Sequence, residues 1–571
     1  SCRCLDFESS AWSGVGMAER LGTVEALRRD GITAISPEEG VAWFQRLLFS
    51  NVGSTSVVLT SRLGESSPLP IKAASLPMLR FLERPRVNYP GVELIAEADL
   101  TTASDPYLLD HVFQQQPLLP GVIGLEAMVQ TAMAVAGEEK LPIIEDVRFE
   151  QPVTVEPRSR VTLRMAALVR EPGLVEVALR SSQSSFALDH FRCVCRFSDG
   201  RPTSASIFPA NDCVRLPIDP QRDLYGSLLF QSGRFRRLSS YQTLGAQGSL
   251  AEIAPGAASN WFSQYLPQQL LLGDAAARDA GIHSIQACVP HVVLLPTGVE
   301  KIVVAKLNPK EKLFAHARER WQQGADYCYD LELRNGNGEL CESWQGLRLR
   351  KIADASVHAW PDPLVAASLE WCLRETMPLG HVKAAFERDS GSDRRSRSER
   401  SIQKALGSRE PVRWRADGKP EVASGVSVSS AHMDGLTLAV AGPQSVACDL
   451  EPVRERGDQV WSDLLGREGW NLAQLIAQQT GEDLHTAATR VWTAMESLKK
   501  AAKAQDHMVL LPGVGQHNGS ISFAAAGMKI ASTVFRFRDN PLPVAISILT
   551  RSHECTPTST AIESALKRQI S

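Results

Sequence analysis

Two separated groups of residues carry side chains suited to proton transfer. "DHVFQQQPLLPG" contains His111, with Pro120 nine residues further on. Far downstream, "DAAARDAGIHSIQ" places Asp279 and His283 one helical turn apart on a single face. A neutral imidazole can take a proton from the carbon beside a thioester carbonyl. A carboxylic acid kept protonated by burial can give its proton to a departing hydroxyl. A His and an Asp brought together across an apolar tunnel could work as such a base/acid pair and eliminate water across a carbon–carbon bond, with positive helix ends nearby polarising the thioester oxygen. Asp274 competes as the acid by the same logic, and Asp279 is also open to a capping or dipole role.

The last third of the chain holds a different chemistry. In "VACDLEPV" (446–453) Asp449 and Glu451 alternate along a strand, so both carboxylates face the same way. "VWTAMESLKKA" (491–501) stacks Trp492, Glu496 and Lys500 on one helix face. Asp449, Glu451 and Glu496 form a set of hard oxygen ligands suited to an octahedral Mg²⁺ that keeps waters and borrows phosphate oxygens. Lys419, His432 and Lys500 can surround those phosphates as donors. The plainer alternatives are a Glu496–Lys500 helix ion pair and a solvated strand face. Met495, apolar and next to Glu496, stands out in such a site.

Elements must position these groups. Between about 85 and 352, strand-like runs ("RVTLRMAALV", "LVEVALRSS", "YDLELRNGNGELCESWQGLRLRK") alternate with two largely apolar helical stretches, 121–137 and about 274–288. Two helices, each followed by several strands, predict a duplicated α+β unit. Ser-, Pro- and Gly-rich breaks at 60–90 and 353–363 separate this block from a short front piece and a final block. "ERDSGSDRRSRSER" (387–400) is basic and poor in apolar residues, which predicts a solvated loop.

The 571 residues exceed what one core supports and suggest three or four domains. A formal net charge of -3 argues against a nucleic-acid binder. No apolar run reaches membrane-spanning length, so neither a nucleic-acid nor a membrane partner is expected. The 11 cysteines include the pairs Cys2/Cys4 and Cys193/Cys195, without the gap of zinc or redox motifs, so reduced thiols in a cytoplasmic protein are expected. Ser1 in place of Met points to an excised part of a longer polypeptide.

"HVFQQQPLLP", "LYGSLLFQSGRFRRL" (224–238) and "DAGIH" (279–283) resemble, in order and spacing, the motifs of dehydratase domains in polyketide synthases. The resemblance implies a double hotdog fold with His111 as base, Asp279 as acid and His283 orienting that acid or the hydroxyl. Gln115 departs from the pattern: the motif has a glycine there, which permits a tight turn. Relatives of this fold also cyclise or hydrolyse thioesters, or serve as inactive scaffolds.

"GKPEV" (418–422), "VSVSSAHMDG", "VACDLEPV" and "VWTAMESLKKA" look like the four ordered motifs of 4′-phosphopantetheinyl transferases of the surfactin type. This implies a pseudo-dimeric α+β domain in which Asp449, Glu451 and Glu496 bind Mg²⁺. Glu496 would help deprotonate a carrier-protein serine, Lys419 and His432 would hold coenzyme A, and Lys500 would contact the pyrophosphate. Trp492 would be a packing anchor. Met495 replaces an expected lysine and removes one cation. Arg394, Arg395, Arg397 and Arg400 are candidates for the 3′-phosphate. "FESSAWSGVGMAERLG" and "GITAISPEEGVAWFQRLL" resemble the end of a ketoreductase domain and predict a helical docking arm.

The expected organisation is therefore a ketoreductase remnant (1–62), linker (63–88), double-hotdog dehydratase (89–352), linker (353–362) and phosphopantetheinyl transferase (363–571). This order is similar to the C-terminal part of iterative polyketide synthases of the enediyne type. Such a protein would act on polyketide thioester intermediates, have the synthase's acyl carrier domain as partner and form a homodimer.

Overall fold

The structure, a computed structural model, describes residues 4–29, 32–49, 55–61, 75–198, 215–256, 260–304, 307–308, 310–355, 359–377, 382–389, 391, 393–501, 508–510, 519–525 and 527–551.

The central block repeats one pattern. Its first half contains β1 (Arg84–Tyr89), β2 (Glu93–Leu100), α1 (Gly121–Ala136), β3 (Ile143–Phe149), β4 (Val161–Glu171), β5 (Leu174–Ser181) and β6 (Asp189–Arg196). The second contains β7 (Leu238–Gly245), β8 (Gly248–Ile253), α2 (Ala275–Gln286), β9 (Val292–Val304), β10 (Leu313–Gln323), β11 (Asp326–Asn335) and β12 (Leu340–Asp354). All twelve strands form one antiparallel sheet in the order β7-β8-β10-β11-β12-β9-β3-β6-β5-β4-β2-β1. Each half runs first, second, fourth, fifth, sixth, third, and the halves meet where β3 pairs with β9. This is the duplicated unit the sequence predicts: two hotdogs side by side. The linker expected over 63–88 is shorter than predicted, because Arg84–Tyr89 is already the edge strand; residues 62–74 lie outside the described set.

Small residues let the sheet wrap the helices closely. A Cβ at Gly124 of α1 would stand 2.3 Å from the Phe191 ring, and one at Gly281 of α2 would stand 2.9 Å from Leu333. The two helices are also tied by buried polar groups. Glu126 of α1 accepts from the Leu271 and Leu272 backbone N–H groups at 2.7 and 2.9 Å. Arg278 of α2 forks onto Glu342 of β12 with two 2.8 Å bonds. Removing one partner of such a buried pair typically costs about 3–5 kcal/mol, so these contacts fix where α2 sits.

The final block has α3 (Asp362–Thr376), β13 (Lys383–Arg388), α4 (Arg394–Leu406), β14 (Ser427–Met433), β15 (Leu436–Gly442), β16 (Val446–Pro452), α5 (Asp458–Thr480), α6 (Leu484–Ala501), β17 (Ile521–Ala525), β18 (Met528–Phe535) and β19 (Val544–Arg551). One sheet runs β13-β15-β14; the other runs β16-β19-β18-β17 and continues to Val509–Leu510. They meet along β14 and β16, where Ser427 and Ser429 hydroxyls accept from the Val446 and Cys448 N–H groups at 3.1 and 3.3 Å. The solvated loop predicted over 387–400 is instead the end of β13 and the start of a helix. Asp393 caps α4 by accepting from Arg395 and Ser396 N–H. The buried face of α4 is Ser398, Ser401, Ile402 and Ala405, too small and polar to read as an apolar stripe.

In the front piece, Asp6–Ser9 pairs in parallel with Ser56–Leu59, beside a helix at Pro37–Phe49. The piece is thus more than the helical arm expected. Among the described residues, no helix is long and apolar enough to cross a membrane.

Candidate functional site

His111 sits at the foot of a two-residue hairpin formed by Val112–Phe113 and Gln116–Pro117. Gln114 and Gln115 at its tip have φ of 47° and 66°. The turn that a glycine would ease is therefore kept, with two glutamines in the left-handed region at a cost of about 1–2 kcal/mol each. The fold closes the turn because Leu118 N–H donates to His111 O at 2.9 Å. The His111 ring Nδ1 donates to Leu118 O at 3.1 Å, which puts its proton on Nδ1 and leaves the Nε2 lone pair free. Phe230 and Phe235 stand edge-on to the ring at 4.9 and 5.5 Å. Burial holds the His111 imidazole below the usual histidine range, so the base rests neutral.

Asp279 and His283, on α2, face the same apolar cavity of about 260 Å³ as His111. His283 Nε2 lies 2.9 Å from Asp279 Oδ2, but off the line of a ring N–H donation, so the contact is close and poorly aligned. On the other side Tyr225 Oη lies 3.3 Å from His283 Nδ1. That oxygen already accepts from Arg237 and Leu238 N–H at 3.2 and 3.3 Å. Its one proton goes to Phe235 O at 3.2 Å, so the hydroxyl is anchored on three backbone groups and the Tyr225 ring stands edge-on to His283 at 5.8 Å. Burial raises the Asp279 carboxyl, but the neighbouring His283 and His111 outweigh it and hold the group below the ordinary value. The expectation that burial alone keeps Asp279 protonated is thus corrected for the ligand-free site. Acting as a proton donor would therefore require Asp279 to be protonated in the substrate-bound site, the direction in which burial acts.

Asp274 is excluded as the competing acid. It caps α2 at Ala277 N–H (3.1 Å) and pairs with Arg237 at 2.9 Å. The N-terminus of α1 opens on the same cavity at Gly121 and Val122. Tyr225 was quoted in the sequence only as part of a motif; its role toward His283 has no signal in local spacing.

In the final block, Lys419, His432, Asp449, Glu451 and Lys500 line one cleft of about 1000 Å³, with Arg394 and Arg395 from α4. Lys500 bonds Asp449 Oδ1 at 2.8 Å and Cys448 O at 2.9 Å. Asp449 Oδ2 is buried without a hydrogen-bond partner. Burial and mutual repulsion with neighbouring carboxylates push Asp449 and Glu451 up, although Lys500 pulls Asp449 down. Glu496 contributes to that repulsion from the edge, its side chain held by Lys499 at 2.7 Å. Among the described residues, no three His, Cys, Asp or Glu side chains converge tightly enough to hold a metal unaided. His432 is held between Thr437 Oγ1 (2.9 Å) and Ser398 Oγ (3.1 Å). Burial, with Arg394, Arg397 and Lys500 nearby, pushes it down to about 4.

Two candidate arginines are committed elsewhere: Arg400 pairs with Glu387 and Asp389, and Arg397 donates to Asp389 O at 3.1 Å. Met495 does not face the cleft. It packs into the core beneath α5, where a Cβ at Gly469 would lie 3.4 Å from its sulfur. Trp492 meets Trp461 edge-on at 6.0 Å, with Arg456 over both rings.

Residues 84–182 match the family described as polyketide synthase dehydratase domain, and residues 209–359 match polyketide synthase dehydratase N-terminal domain. Both matches fall within the central block, which is thus similar to the dehydratase domains of polyketide synthases. Phthioceranic/hydroxyphthioceranic acid synthases of Mycobacterium tuberculosis and Mycobacterium bovis are 29% identical over 283 residues, 44% of this chain and 12% of theirs. The chain thus spans about an eighth of the curated relatives it matches. Among solved structures, the dehydratase domain of a mycocerosic acid synthase-like polyketide synthase is 21% identical, covering 48% of this chain and 97% of that one, with a TM-score of 0.39. The dehydratase domain from the CurF module of the curacin synthase is 18% identical, covering 48% and 99%, with the same TM-score of 0.39.

Proposed function

We propose that the central block dehydrates β-hydroxyacyl thioesters on the carrier domain of a polyketide synthase of the iterative, enediyne type. The observation that carries this is a neutral His111, its Nε2 lone pair free, sharing one apolar cavity with Asp279. His111 Nε2 takes the proton from the carbon beside the thioester carbonyl. The electron pair forms the new double bond, and the β-hydroxyl leaves with the proton of Asp279 as water. The pair then exchanges one proton from His111 back to Asp279. The α1 N-terminus at Gly121 stabilises charge building on the thioester oxygen. Incubating the chain with a 3-hydroxyacyl thioester tests this: an enoyl product with loss of water supports it, and a free acid would mean hydrolysis instead.

For the final block we infer transfer of 4′-phosphopantetheine from coenzyme A to the carrier serine. Its support is the cleft where Lys419, His432 and Lys500 face Asp449 and Glu451. The residues fit Mg²⁺, since Asp449 Oδ2 lacks a partner and the carboxylates repel one another. Asp449, Glu451 and Glu496 would hold the ion, and a bound ion would supply charge neutralisation for the diphosphate. Lys500 moves from Asp449 to the diphosphate, Lys419 and His432 hold the nucleotide end, and Glu496 takes the serine proton. Mass spectrometry of an apo carrier domain with coenzyme A and Mg²⁺ decides: no phosphopantetheine mass gain sinks the transferase. A homodimer in the cytoplasm completes the proposal.

A further inference from the structure

We propose that the final block positions the dehydratase acid from outside its domain, with Trp371 and Arg538 as positioning residues. The inference rests on the dehydration proposed above. Two contacts leave the final block and end on the Asp279–His283 pair by different routes.

The first reaches α2 itself. Trp371 of α3 is buried within the hotdog core, packed edge-on against Tyr327 at 5.5 Å. Its Nε1–H donates to Cys288 O at 2.6 Å, just past the C-terminal end of α2. Cys288 follows the C-cap Ala287 directly, so this bond anchors the chain as it leaves α2 and restrains the helix along its axis. Arg374 stacks over the Trp371 ring at 4.3 Å and bonds Glu319 of β10 at 2.7 Å, holding the indole in place.

The second reaches Tyr225. Arg538, in the loop after β18, pairs with Asp223, whose side chain is 3% exposed. The same carboxylate accepts from Asp219 N–H at 2.8 Å and so closes the turn Pro220–Asp223. Gln221 pins that turn to Leu238 O at 2.8 Å, and Tyr225 N–H hangs from Pro220 O at 3.1 Å. Arg222 also meets Asp223, but from the solvent side, at 58% exposure. Arg538 ties the turn to the final block. Tyr225, its hydroxyl anchored on Phe235, Arg237 and Leu238, then packs edge-on against the His283 ring at 5.8 Å, and His283 faces Asp279. One contact sets the height of α2 and the other sets the ring beside its acid.

The test uses the full chain with Trp371→Phe, which keeps the ring and removes the N–H, and Arg538→Gln with Arg538→Lys as its conservative partner. Because small misplacements of catalytic groups cost rate steeply, each of the first two should lower kcat for dehydration by about tenfold at unchanged KM. Both should shift the limb of the pH profile set by the acid and move the His283 ring resonances in NMR, and Arg538→Lys should restore most of the rate. Variants that lose thermal stability but keep kcat, pH profile and His283 resonances would overturn the inference. If the wild type fails to dehydrate, the functional reading fails, and the His283 resonances still decide the coupling: unshifted resonances overturn it, shifted ones uphold it.

Discussion

His111 and Leu118 are joined twice across one hairpin, by Leu118 N–H to His111 O at 2.9 Å and by His111 Nδ1–H to Leu118 O at 3.1 Å. The backbone bond sets the turn and the ring bond sets the tautomer. One loop therefore delivers a neutral base with its lone pair aimed into the cavity.

Burial lowers the His111 proton affinity, so the active neutral form persists to more acid pH than for an exposed histidine. The acid limb of kcat/KM, measured between about pH 5 and 8, should fall below the ordinary value of 6.5. A limb at or above that value would show that the titrating base is not a buried histidine.

Gln115 holds φ of 66° without the freedom of glycine. Gln115→Gly should remove that strain and raise stability by about 1 kcal/mol, read by denaturant unfolding, with His111 chemistry intact. A destabilised variant would mean that the Gln115 side chain contributes contacts that outweigh the strain.

His432 titrates near 4 because it is buried among Arg394, Arg397 and Lys500. Phosphates in the cleft would offset those charges and favour the imidazolium, so its value rises on binding. Affinity for coenzyme A should therefore strengthen as pH falls from about 7 toward 5, with proton uptake in calorimetry. Affinity independent of pH, without proton uptake, would place His432 outside the phosphate site.

Met495 packs beneath α5 rather than in the cleft. Met495→Lys should lower stability by about 1–3 kcal/mol and leave the Kd for coenzyme A unchanged. Tighter binding would restore the idea, natural from sequence alone, that this position lost a phosphate-facing cation.

These cases show where sequence is informative. Asp279 and His283 were legible because four-residue spacing on a helix dictates a shared face. His111 was legible because its hairpin is local. Gln115 looked like a lost turn, since sequence does not show that backbone bonds on either side can hold a glutamine in the left-handed region. Helix α4 was hidden because its buried face holds a single large apolar residue, Ile402, among serines and alanine. Met495 was misread because its neighbour Glu496 points along a direction about 100° away around the helix. Trp371 and Arg538 carry no local pattern; their partners, Cys288 and Asp223, lie in another block.

The most direct test is release of water from a 3-hydroxyacyl thioester by the wild type, His111→Ala and Asp279→Asn. The wild type should form the enoyl thioester, and each variant should lose about a hundredfold or more in kcat. Water loss that survives both substitutions would contradict the assignment of His111 and Asp279 as base and acid.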